Sequence, residues 1–176
     1  MTTRDLCLDC ATNIYGATPP NDRYARATAN LLWGTCIAES LGRYHRQVGF
    51  PWTHLNGAWG LWQTEHLAVE DNLMYLTRKP LLAQKSGEWL FGVKGADCIT
   101  LFTVSHYSML PLCQLIAGWD RLACLMARLH YLRIPKPIPD SISDQAKYWK
   151  KYYNTSLGKG TVDGYLSKNQ RSKWFE

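Results

Sequence analysis

A chain of 176 residues with 46% hydrophobic and 12% aromatic side chains has the material for one domain with a real core, which excludes a disordered segment and leaves too little for two full domains. No apolar run approaches the roughly 18 residues that cross a bilayer, so a membrane-spanning helix is excluded. The net charge of +6 lies wholly in the last part: residues 128–176 hold 10 basic and 4 acidic side chains, against 10 of each in residues 1–127, and this predicts a basic face for an anionic partner, whether nucleic acid, wall polymer or lipid surface.

In chain order, "TTRDLCLDCATNIYG" predicts a first helix capped by Thr2 or Thr3 and ending at Gly16, with "ATPPND" as a break. Arg4, Asp5 and Asp9 stand where a signal peptide would be apolar, so no export signal is expected in this stretch. A second helix starts at Asn21 or Asp22. Its apolar positions Tyr24, Ala27, Leu31, Leu32, Thr35, Cys36 and Ala38 recur at threes and fours, which puts Glu39 in the last turns beside a buried stripe. After a glycine- and tryptophan-rich segment, "TEHLAVEDNLMYLTRK" predicts a helix capped by Thr64, and "EWLFGVKG" a short hairpin arm. "ADCITLFTVSHYSML" reads as a buried helix and "LCQLIAGWDRLACLMARLHYLRI" as the longest helix, striped by Leu115, Trp119, Leu122, Leu125, Met126 and Leu129. "PKPIPDSIS" is a connector, Asp140 or Ser141 caps "DQAKYWKKYYNT", and a last helix begins near Thr161. The fold class is mainly α in a single domain, 1–176.

Six cysteines at 7, 10, 36, 98, 113 and 124 fall in apolar helical patterns, which predicts reduced, buried thiols. The lone pair Cys7 and Cys10 lacks the further ligands of a structural zinc site, and the five histidines form no HExxH pair. Ser40 has no GxSxG context, and Cys36 is inside its helix rather than at an N-terminus that would favour a thiolate. Nucleophilic and metal chemistry are therefore disfavoured.

Three segments remain that can work together. The first is Glu39-Ser40 at a helix end. The second is "GAWGLWQ", Gly57 to Gln63, whose glycines permit close backbone approach and whose terminal amide both donates and accepts. The third is "YYNTSLGKG", Tyr152 to Gly160. In that order they resemble the lytic transglycosylase branch of the lysozyme-like superfamily, which carries Glu-Ser, then Gly-Ala-x-Gly-Leu-x-Gln, then Tyr-Asn with glycine beyond. The matching positions are Glu39 and Ser40; Gly57, Ala58, Gly60, Leu61 and Gln63; and Tyr153, Asn154 and Gly158. The tail also resembles phage-encoded wall-lytic proteins.

The resemblance implies a lysozyme-like helical fold that cuts peptidoglycan between N-acetylmuramic acid and N-acetylglucosamine, with no cofactor, no metal and no obligatory nucleic acid. It implies Glu39 as acid and base, Ser40 and Gln63 orienting the Glu and the N-acetyl group, Gly60 in the substrate-facing turn, and Tyr153 and Asn154 closing the cleft. Trp59 and Trp62 are expected to stack on sugars. It also implies a virion-associated protein, or one made in the host cytoplasm that acts at the wall. The pattern is departed from in three places: Trp62 stands where the family has Met, the interval from Glu39 to Gln63 is 24 residues and holds "GFPWTHLN", and Tyr152 competes with Tyr153 for one position.

Other readings stay open on the residues alone. Glu65 or Asp71 as a second carboxylate would make a water-using muramidase. The same fold could cut stem peptides, or the basic tail, with Lys147, Lys150 and Lys151, could serve a non-catalytic wall- or nucleic-acid-binding module. Glu39 could equally be a surface acid paired with Arg43 at i+4.

Overall fold

A computed structural model describes residues 1–98 and 109–171. The chain forms α1 (Thr3–Asn13), α2 (Asp22–Ser40), β1 (Ala58–Trp59), β2 (Thr64–Glu65), α3 (His66–Thr77), α4 (Pro80–Phe91), α5 (Met109–Gly118), α6 (Asp120–Leu132), α7 (Ile142–Trp149), a π-helical turn (Lys150–Asn154) and α8 (Val162–Arg171). It is mainly α with one short antiparallel hairpin, in which Ala58 faces Glu65 and Trp59 faces Thr64.

Local chemistry sets several boundaries. Thr2 caps α1 in a reciprocal box with Asp5, Asn21 accepts the Tyr24 N–H to start α2, and Ser141 accepts the Asp144 N–H to start α7. α1 stops at Asn13, before Gly16, because Ile14 leaves the helical region. α6 is the central element: every residue from Leu122 to Leu129 is buried, including Arg128, whose Nε donates to the Ile14 carbonyl at 2.8 Å. All six cysteines are free and buried. Among the described residues no helix is long and apolar enough to cross a membrane.

Four expectations need correction. "EWLFGVKG" makes no hairpin: Glu88 to Phe91 are the last turn of α4, which ends in left-handed Gly92 with φ 67°. The hairpin lies instead in "AWGLWQTE", where Gly60 and Gln63, at φ 71° and 50°, reverse the chain within four residues. Thr64 sits in β2 and does not cap α3; Glu65 holds that position without a side-chain bond. The expected longest helix is two helices, since Trp119 is extended between Gly118 and Asp120, and the ring of His45 caps the Ala117 carbonyl at 2.8 Å. Leu115 is accordingly on the surface. Most of "ADCITLFTVSHYSML" lies outside the described residues.

The C-terminal part closes over α2. Tyr165 of α8 is buried against Gly34, where a Cβ would stand 1.9 Å from its hydroxyl oxygen, and Asn169 donates to the Gly34 carbonyl at 3.2 Å. Only glycine at 34 lets the two helices approach this closely. The ring of Tyr165 in turn packs on Trp149, centroids 5.1 Å apart.

Candidate active site

Glu39 is the penultimate residue of α2. The helix ends through Leu41 and Gly42, both left-handed, so the chain turns away and leaves the carboxyl facing the C-terminal elements. Trp149, at the end of α7, donates its indole N–H to Glu39 Oε1 at 2.9 Å. The Asn154 amide and the Lys168 ammonium also act on it, and so does the Glu65 carboxylate across the hairpin. Burial dominates: it pushes the Glu39 carboxyl from an ordinary 4.5 up to about 7, against the opposing pull of the Trp149 hydrogen bond, the Asn154 amide and the Lys168 charge, with Glu65 adding a small upward push. Glu39 thus has Trp149, not Arg43, as its hydrogen-bond partner.

The π turn delivers two side chains here. The Tyr153 hydroxyl donates to the Trp62 carbonyl at 2.8 Å and stands 3.2 Å from Thr64 Oγ1; because its single proton goes to the carbonyl, the threonine is the donor in the second contact. The two bonds tie the turn to the hairpin, and burial raises the Tyr153 hydroxyl well above its ordinary value. Tyr152 packs on Tyr148 instead, centroids 4.7 Å apart. Of the two tyrosines, Tyr153 is the one that reaches the hairpin. Gly158 and Gly160 leave room for Asn154 and Trp149: a Cβ on Gly158 would meet the Asn154 carbonyl at 2.2 Å, and one on Gly160 the Trp149 ring at 2.5 Å.

Several expected roles change with burial. Ser40 is 1% exposed; its hydroxyl donates to the Leu61 carbonyl at 2.6 Å and accepts the Gly42 N–H. It staples the end of α2 to the hairpin turn rather than orienting Glu39 or a ligand. Gly60 faces inward, where a Cβ would lie 2.8 Å from Ala123 Cβ, so its freedom serves packing on α6 and not approach to a ligand. Trp59 and Trp62 are both 0% exposed and offer no face to a sugar. Trp62 donates to the Leu32 carbonyl at 2.7 Å, and Trp59 lies under the Arg46 guanidinium at 3.7 Å. Gln63 is half-buried, its amide N–H2 held by the carbonyls of Tyr44 and Gly60 at 3.0 and 2.9 Å.

The exposed rings are in the long interval instead: Tyr44, Phe50 and Trp52. Arg46 organises that loop from beneath. Its buried guanidinium donates to the carbonyls of Pro51, His54, Asn56 and Ala58 and has no acidic partner among the described residues. Asp71 is ion-paired to Arg133 at 2.6 Å, which leaves Glu65 as the acid that Glu39 senses.

Trp149, Lys168 and Thr64 are the site residues that sequence reasoning missed. Only Trp149 left a trace, as the residue that closes α7 immediately before "KKYYN". No protein-family model, curated protein or solved structure matches this chain, so a functional reading rests on its own residues.

Proposed function

We propose that this protein cleaves the glycan strands of bacterial peptidoglycan between N-acetylmuramic acid and N-acetylglucosamine, by a transglycosylase reaction that uses one carboxyl group on a lysozyme-like scaffold. The observation that carries the reading is Glu39 itself: a partly buried carboxyl pushed up to about 7, bonded to Trp149 and drawn on by Asn154 at the meeting of three segments whose residue types match that chemistry.

The chemistry follows from that titration. A carboxyl with a pKa of about 7 is partly protonated at neutral pH and can give its proton to the departing glycosidic oxygen. The sugar's N-acetyl group assists departure, and Glu39, now a carboxylate, takes the proton of the sugar's own 6-hydroxyl as that oxygen closes an anhydro ring. The Trp149 and Asn154 donors stabilise the carboxylate formed in the first half, and the proton returns to Glu39 in the second. Tyr153, tied to both Trp62 and Thr64, holds the hairpin against the π turn so that the two sides of the site keep their spacing. Tyr44, Phe50 and Trp52 supply the flat apolar surfaces on which sugar rings stack.

The rival reading with a specific observation behind it is hydrolysis, because Glu65 is exposed and electrostatically coupled to Glu39. Mass spectrometry of fragments released from purified peptidoglycan separates the outcomes. Anhydro-muramic ends support the proposal, reducing ends assign a muramidase that uses Glu65, free stem peptides a peptidase, and no fragments a binding module.

A further inference from the structure

Lys150 opens the π turn, and its ammonium is fully engaged. It donates to Asn154 Oδ1 at 2.9 Å, to the Thr155 carbonyl at 2.7 Å and to the Gly158 carbonyl at 2.8 Å, which uses all three of its N–H groups. Among the described residues no carboxylate pairs with it. A charge satisfied by three neutral oxygens of one loop does little for attraction at long range. It holds that loop's shape.

The contact with Asn154 fixes more than position. An ammonium has donors only, so the end of the Asn154 amide that it touches must be the oxygen, and the N–H2 end is turned to the other side. On that other side the Asn154 Nδ2 and the ring of Trp149 border Gly160 together, a Cβ there standing 3.0 Å from the one and 2.5 Å from the other; Trp149 bonds Glu39, and the Asn154 side chain draws the Glu39 carboxyl downward, as a donor does. We propose that Lys150 is a positioning residue for the candidate active site: it locks the amide of Asn154 so that its N–H2 group, and never its carbonyl, faces the Glu39 carboxyl. Without the lock the amide can rotate, and a carbonyl facing Glu39 would favour the protonated acid where the N–H2 favours the carboxylate. The inference rests on Glu39 being the reacting carboxyl but concerns its titration, which can be measured without any substrate.

Glu39 is also faced by Lys168 from α8, Glu65 from β2, the Trp149 N–H from α7, Tyr153 from the π turn and Tyr131 from α6. The test therefore has to separate Lys150's action through Asn154 from a general effect of its charge. The side-chain carboxyl of Glu39 in 13C-labelled full-length protein, identified by the signal missing in Glu39→Gln, is titrated by NMR in the wild type, Lys150→Met, Asn154→Ala and the double variant. Lys150→Met is expected to raise the Glu39 midpoint by about one unit, the size of one hydrogen bond to a charged oxygen, and to add nothing in the Asn154→Ala background. An unchanged midpoint, or the same rise in both backgrounds, overturns the proposal. Should Lys150→Met not fold, the wild type decides: the Asn154 N–H2 protons are expected to shift with the midpoint of Glu39, and N–H2 signals blind to that titration overturn it equally. Absence of peptidoglycan cleavage alongside the expected titration would defeat the proposed reaction and leave the positioning role standing.

Discussion

Glu39 behaves as two different groups on either side of neutrality, and its burial decides where the change falls. Its midpoint rises from 4.5 in the unfolded chain to about 7 in the fold, so between those values the folded protein keeps a proton that the unfolded chain has lost. Stability referable to this group is therefore fully present below pH 4.5 and declines as pH rises to about 7. Glu39→Gln removes that dependence. The variant is expected to match the wild type in thermal stability near pH 4 and to exceed it at pH 8, by no more than roughly 3 kcal/mol at about 1.4 kcal/mol per unit, while losing wall lysis altogether. Melting curves at the two pH values check the first part and turbidity of wall suspensions the second; retained lysis would move the reaction to another residue. For the wild type, kcat/KM should fall as pH passes about 7, because the proton donated to the leaving oxygen is then absent. A pH–rate profile flat from 6 to 9 would contradict that assignment.

Elements hold these groups in place through two close approaches. α8 reaches α2 only because residue 34 has no side chain, and it carries Lys168, whose ammonium bonds to the Ala38 carbonyl beside Glu39. Gly34→Ala should displace Tyr165, lower stability by about 1–3 kcal/mol as overpacking does, and reduce lysis beyond the loss explained by unfolding; chemical denaturation with activity measured at matched folded fraction checks both. The second approach is the loop over Arg46. Its carbonyl bonds preorganise a segment that would otherwise have to be ordered on binding, and its outer face carries Trp52. Trp52→Ala is expected to weaken binding of a short glycan five- to tenfold, roughly 1 kcal/mol for one stacked ring, without altering the Glu39 midpoint. Calorimetry on the Glu39→Gln background measures it, and unchanged affinity would remove the loop from the binding surface. The π turn, an irregularity that often accompanies functional sites, has a local cause here: Lys150 gathers the Asn154 side chain and two later carbonyls around one ammonium.

At the scale of the whole molecule, the basic excess of residues 128–176 is the remaining lever. Lys150 does not belong to that exposed charge, which corrects its grouping with Lys147 and Lys151. Among the described residues the exposed lysines of the region are Lys136, Lys168 and three in or near the π turn, Lys147, Lys151 and Lys159. Replacing these three with Gln should slow lysis of whole walls at low salt and have little effect at 1 M, where the Debye length is about 3 Å, with cleavage of a short neutral glycan less affected throughout. Lysis rates across a salt series test this, and equal losses on both substrates at every salt would mean direct contact with sugar.

What the sequence determined by itself is the local part: helix starts narrowed to Thr2 or Thr3, Asn21 or Asp22, and Asp140 or Ser141, of which the fold uses Thr2, Asn21 and Ser141, the mainly helical class, the buried thiols, and a stripe along α2 that put Glu39 at the edge of the core. Each follows from interactions within a few residues or from one helical period, so a window of sequence holds the cause. The tertiary structure alone decided which faces meet. Trp59 and Trp62 look like any other exposed-turn tryptophans in sequence, yet the hairpin folds them onto α5 and α2 and hands the surface to Tyr44, Phe50 and Trp52. Tyr153 and Tyr152 are indistinguishable until the π turn rotates one toward Trp62. The Glu39 pKa depends on Trp149 and Lys168, 110 and more than 120 residues away along the chain. Burial and pairing at such separations are properties of the packed chain, because the groups that desolvate a carboxyl or donate to it are set by contacts that no local pattern encodes.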